Sequence, residues 1–307
     1  MASHTSPKGL IGVTVSTVHF TKFAAVAAIA TFMAANAFAL ELKPFKDELF
    51  SNQTVVESHD NGAFETIDYQ ELRDINGRDI VPERRVKPAY MALGVRWHQT
   101  DETLTLGTRK LDVTRVGPAS GQAFTVIFIH GRAGDRRLGS NDYMFGGNFN
   151  RLKNLAVDNG GSYYAPTIKT FDAEGVADVA AMIRSASEQS GGKPVILSCA
   201  SMGSIVCWGI SRDPESVKRL KGMVMMSAVT DPTFSKSPFY KAKLPIWFAH
   251  GSNDSVYPAK DQQAEFEQLF KAHYPARFTL YTTGSHGTPL RMIDWRKTLN
   301  WLFVPAQ

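Results

Sequence analysis

The stretch Pro194-Val-Ile-Leu-Ser-Cys-Ala-Ser201-Met-Gly-Ser-Ile-Val-Cys-Trp208 decides how the rest of the chain is read. An apolar run of strand length meets Cys199-Ala-Ser-Met-Gly203 and continues as an apolar run of helical character. A strand feeding a helix through so few residues needs a sharp turn. That turn holds Ser201 in a strained backbone conformation, lifts its hydroxyl above the strand end, and demands small neighbours where helix and strand approach. Gly203 supplies one of them. Cys199 stands where such turns usually carry their first glycine, a departure softened by the small size of cysteine.

Outward from this turn the chain alternates buried-strand runs with amphipathic stretches. Strands are predicted over 124–130, 162–165, 194–198, 222–227, 245–250 and 278–283, each short and rich in Val, Ile, Phe or Tyr. Between them, Val176, Val179, Ala180 and Ile183 recur at helical spacing, as do Phe266, Leu269 and Phe270. Asp213-Pro214 reads as a helix cap followed by its first residue. The stretch 290–302 is predicted as one final helix. Strands alternating with helices imply an α/β fold: a mostly parallel central sheet with helices on both faces. Antiparallel strands around Gly107, over 103–106 and 110–116, lead into it. Asn76-Gly77 is a hairpin signal within an otherwise irregular 40–100. The organisation expected is a signal segment over 1–39, an N-terminal extension packed on the core over 40–100, and the core domain over 101–307.

Two further loops complete the pattern. The strand ending at His250 runs into Gly251-Ser-Asn-Asp254-Ser-Val-Tyr-Pro258, and the strand ending at Thr283 runs into Gly284-Ser-His286-Gly287. With the Ser201 turn these make a serine, an acid and a histidine in that order, each on a loop after a strand. From about Thr103 to its C-terminus the chain resembles the α/β-hydrolase superfamily, in particular its cap-less serine esterase, lipase and thioesterase members. The resemblance implies Ser201 as nucleophile, His286 as general base and then acid, and Asp254 as the carboxylate orienting the imidazole. It also implies an oxyanion hole from the Met202 amide and, in the loop Ile129-His130-Gly131-Arg132-Ala133-Gly134, the Arg132 amide. Asp231, one strand earlier, is the alternative acid. His130 and His250 are read as structural, the latter bracing the acid loop.

The 231–243 connection is too short for a helical cap, so an open site is expected. Arg132, Arg136, Arg137, Arg151 and Lys153 follow the oxyanion strand and read either as a solvated loop or as a patch admitting anionic substrates.

Composition agrees with a globular protein: 307 residues, 43% hydrophobic and 21% charged. The net charge of +5 is modest, and two of the cations, Lys8 and Lys22, lie in residues 1–39. With no basic stripe, nucleic acid is excluded as a partner. Lys22, the apolar run from Phe23 to Phe32 and the small residues Ala35, Ala37 and Ala39 read as a secretory signal peptide, expected to be cut after Ala39, with an uncleaved anchor as the alternative. The mature protein is then periplasmic or secreted, with no stable membrane span. Cys199 and Cys207 are expected as two free, buried thiols. No HExxH or CxxC pattern calls for a metal, and no cofactor is expected. The function expected is an exported serine hydrolase acting on a small-molecule or lipid-like ester. A thioesterase or lipase of the same fold, or a non-catalytic binding protein, is the alternative.

Overall fold

In the computed structural model, residue 12 and residues 40–304 are described, and the expected signal segment over 1–39 lies outside them but for residue 12. Ten strands form one mixed sheet. In chain order the strands are β1 (Val55–His59), β2 (Phe64–Ile67), β3 (Asp79–Ile80), β4 (Arg85–Val86), β5 (Gln99–Leu106), β6 (Arg109–Val116), β7 (Thr125–Ile129), β8 (Ser162–Pro166), β9 (Val195–Ala200), β10 (Leu220–Met226), β11 (Ile246–Gly251) and β12 (Ala276–Tyr281). Their order across the sheet is β1-β2-β12-β11-β10-β9-β7-β8-β6-β5, with β3 and β4 forming a separate two-stranded hairpin. From β2 to β8 every pairing is parallel, while β1 against β2, β8 against β6 and β6 against β5 are antiparallel.

The helices are α1 (Asp47–Phe50), α2 (Glu71–Arg78), α3 (Arg136–Ser140), α4 (Asn148–Asp158), α5 (Ala173–Gln189), α6 (Gly203–Ser211), α7 (Pro214–Val217), α8 (Pro238–Lys241), α9 (Ala259–Lys271), α10 (Thr288–Met292) and α11 (Trp295–Phe303). Because side chains alternate along a strand, the central strands bury both faces. Ile127, Leu197, Met225 and Phe248 pack with Val179 of α5, Val206 of α6 and Phe266 of α9. Val126, Ile196, Val224 and Ala249 face the other way, toward Phe149 and Leu152 of α4 and Leu299 of α11. Continuous apolar strands such as Thr125–Ile129 are buried at every position for this reason.

Every strand predicted from the core pattern is present, within a few residues. Three expectations are corrected. Asn76-Gly77 does not turn a hairpin; it closes α2, and the hairpin is β3–β4, joined through residues 81–84. The final helix is two helices, because Ile293 leaves helical geometry and the Asp294 carboxylate caps α11 by accepting from the Lys297 amide. Arg151 and Lys153 lie not on a loop but in α4, both fully buried. β1 and β2 carry no legible signal in the sequence, and they extend the sheet by pairing β2 in parallel with β12.

Candidate active site

Ser201 sits between β9 and α6 with φ of 51°, in the left-handed region that non-glycine residues avoid. Its amide donates to the Met226 carbonyl at 3.0 Å, tying the turn to β10. The sharpness of the turn depends on two glycines. A Cβ on Gly203 would lie 2.6 Å from the His130 carbonyl oxygen, and one on Gly131 would lie 2.8 Å from the Ser201 Cβ. The end of β7 and the serine turn therefore approach closer than any side chain permits.

The same turn overturns the expectation of free thiols. Cys199 on β9 and Cys207 on α6 form a disulfide, with Cα atoms 6.5 Å apart. Folding the helix back so tightly over its own strand brings the second helical turn within disulfide reach of the strand end. Cysteine at the usual glycine position thus becomes a cross-link that straddles the serine.

The acid and histidine loops also meet through glycines. A Cβ on Gly251 would collide with the Gly284 carbonyl, and the Asn253 amide donates to that carbonyl at 2.8 Å. This seats His286 between the other two residues. Its Nδ1 lies 2.7 Å from Asp254 Oδ2 and its Nε2 2.8 Å from Ser201 Oγ. The second Asp254 oxygen accepts from the Val256 and Tyr257 amides at 2.8 and 3.0 Å. The Tyr257 ring stands edge-on to the imidazole, with centroids 5.5 Å apart.

Burial by itself would raise the Asp254 carboxyl. Hydrogen bonds from His250, His286 and the two amides outweigh it and hold the group far below the usual carboxylate range. Asp231, the alternative acid, is engaged elsewhere: it pairs with Arg212 and accepts from Thr233. Of the two carboxylates, Asp254 is the one that meets His286.

Met202 and Arg132 line the cleft with Ser201, and among the described residues neither amide donates to a protein acceptor. His130 braces this loop. Its Nδ1 lies 2.7 Å from the Gly131 carbonyl, its Nε2 accepts from the Ile168 amide at 3.0 Å, and burial lowers its pKa.

The cleft over Ser201 has a volume of about 500 Å³. Leu138, Phe145, Met226 and Leu290 give it an apolar wall, which the sequence pattern did not reveal. Neither residues 40–100 nor the 231–243 connection contribute to its lining. The expected cluster of cations is dispersed. Arg136 pairs with Asp101, Arg137 with Asp135, Arg151 with Asp47 and Asp294, and Lys153 with Asp142, leaving Arg132 at the cleft. Among the described residues no group of three or more His, Cys, Asp or Glu side chains is arranged to hold a metal ion. No helix there is long and apolar enough to cross a membrane.

Ser, His and Asp meet at the carboxyl edge of the parallel strands, where open α/β sheets place their sites. Comparison with solved structures matches this arrangement of strands and helices. An esterase of Pyrococcus furiosus superposes with a TM-score of 0.50 at 17% identity, over 71% of this chain and 95% of its own. A thermostable esterase gives 0.52 at 17% identity, over 68% of this chain and 63% of its own. The chain has the α/β-hydrolase fold. No protein-family profile matches it, and no curated protein matches its sequence. Within the α/β-hydrolase fold, β7 carries the candidate oxyanion loop, β9 the serine, β11 the acid and β12 the histidine.

Proposed function

We propose that this α/β-hydrolase is a serine esterase that hydrolyses carboxylic esters through an acyl-enzyme on Ser201. The observation that carries the reading is the unbroken chain Asp254–His286–Ser201, with both links at 2.7–2.8 Å. Ser201 Oγ attacks the ester carbonyl while His286 Nε2 accepts its proton. The resulting oxyanion takes hydrogen bonds from the Met202 and Arg132 amides, each donor of this kind contributing about 3 kcal/mol. His286 then protonates the departing alkoxide, leaving the acyl group on Ser201. A water molecule repeats the sequence, giving up its proton to His286 and releasing the carboxylic acid. Asp254 holds the imidazole in the Nδ1–H tautomer and stabilises its cation.

The acyl chain lies against Leu138, Phe145, Met226 and Leu290, and the alcohol portion leaves toward solvent across the uncapped side. Purified protein should hydrolyse p-nitrophenyl esters and be labelled by a fluorophosphonate. Ser201→Ala should abolish labelling and lower turnover by at least about 10³-fold. Full labelling of that variant would disprove the assignment. A panel of acyl esters, thioesters and phospholipids graded by chain length distinguishes esterase from thioesterase or lipase action. Export rests on the 1–39 segment, and a mature N-terminus beginning at Leu40 on direct sequencing is the expected result.

A further inference from the structure

A second histidine touches Asp254 from behind. His250, at the end of β11, is fully buried; its Nε2 lies 3.1 Å from Asp254 Oδ2 and 2.9 Å from the Tyr257 carbonyl. Both are acceptors, so Nε2 must carry a proton. The other ring nitrogen, Nδ1, lies 2.7 Å from Gln262 Oε1, and Gln262 is buried as well. The orientation of that amide is set by its far side, where Gln262 Nε2 donates to the Ala228 carbonyl at 3.4 Å. Turning the amide over would put two oxygens face to face at that end. Gln262 therefore offers His250 an oxygen, and Nδ1 must carry a proton too.

We infer that His250 is a buried imidazolium that counter-charges Asp254 and thereby tempers the field this carboxylate exerts on His286. An imidazole with acceptors at both nitrogens satisfies all three of them only when doubly protonated. Burial opposes the charge, but the bonds to Asp254, Gln262 and Tyr257 outweigh it and raise His250 above the ordinary 6.5. Arranged in line, Gln262, His250, Asp254, His286 and Ser201 alternate a fixed cation, a fixed anion and the titrating imidazole. The cation offsets part of the Asp254 field from behind while the Nδ1 hydrogen bond still orients His286, so removing it exposes the imidazole to the bare carboxylate. His250 is a positioning residue, since it touches Asp254 and not the ester.

This inference rests on the Ser201 reading for its catalytic consequence but not for its charge state, so two measurements separate them. The first is ¹⁵N NMR of histidine-labelled Ser201→Ala protein, which needs no turnover. At pH 7 both His250 nitrogens should resonate as protonated; a neutral tautomer there overturns the inference. The second is the pH profile of kcat/KM. His250→Gln keeps a donor toward Asp254 without the charge, and Gln262→Leu keeps His250 but removes the acceptor that its second proton requires. Both should move the acidic limb upward by about 0.5 to 1 pH unit, with a smaller change on the plateau. A merely structural role would lower the plateau and leave the limb in place, and an unmoved limb in both variants overturns the inference. If the wild-type protein neither turns over esters nor takes the fluorophosphonate, the esterase reading fails. The NMR titration of His286 in the same variants then replaces the limb and is expected to shift in the same direction.

Discussion

The serine turn and the N-terminal extension differ in what is added to the sheet that holds both. Around Ser201 the contacts are close backbone approaches: strand ends, the glycines Gly131, Gly203, Gly251 and Gly284, and one disulfide across eight positions. The extension over 40–100 joins the sheet through β2 and buries Leu42, Phe50, Phe64 and Ile67, and to this it adds ion pairs reaching across the chain. Arg151 of α4, fully buried, donates to Asp47 and Ser51 of the extension and to Asp294 beside α11. Arg291 reaches Asp79 at 2.7 Å, and Lys153 reaches Gln99 at 3.0 Å. A buried ion pair adds little net stability, yet losing one partner strands the other charge. The turn should therefore tolerate changes in charge poorly for chemistry and the extension poorly for folding.

The largest expected effect tests the first half of that contrast. Asp254→Asn should lower kcat by about 10³–10⁴-fold, because an amide no longer selects the Nδ1–H tautomer of His286. Single-turnover kinetics would register it, and a loss below tenfold would show that another group orients the imidazole. The second half is tested by Arg151→Met, which strips Asp294 of its cation and leaves Asp47 with Arg296 alone. It should cost about 3–5 kcal/mol in denaturant unfolding while kcat of the folded fraction stays within about twofold. Equal losses of stability and kcat would dissolve the distinction between the regions.

The disulfide sharpens the comparison at a smaller scale. Replacing Cys199 and Cys207 together by Ala should cost about 2 kcal/mol, the entropy of a short loop, measured by the unfolding midpoint under oxidising conditions. Reductant should reproduce the loss in the wild-type protein and leave the double variant unchanged. The smallest effect concerns Arg132, the one residue of the expected basic cluster that lines the cleft. Arg132→Gln keeps the backbone donor and should lower kcat/KM for an anionic ester about two- to threefold more than for a neutral ester of equal length. The difference should vanish in high salt.

The sequence by itself determined the parallel strands, their order of appearance, and the serine, acid and histidine loops. Each of these is written in local terms: a run of Val, Ile and Phe is buried on both faces, and a glycine marks where backbones must nearly touch. Ser201, Asp254 and His286 were legible because each ends a strand, and parallel strands all end on the same edge. Tertiary structure decided what depended on distant partners. Arg151 and Lys153 looked like solvated charges because nothing near them in sequence announces Asp294 or Asp142. Cys199 and Cys207 looked free because only the tightness of the turn brings them together. His250 is four residues from Asp254, but its proton on Nδ1 is dictated by Gln262, presented from the next helix. Apolar burial repeats with the period of the chain and can be read along it, whereas a buried charge is settled by whichever group folding places across from it.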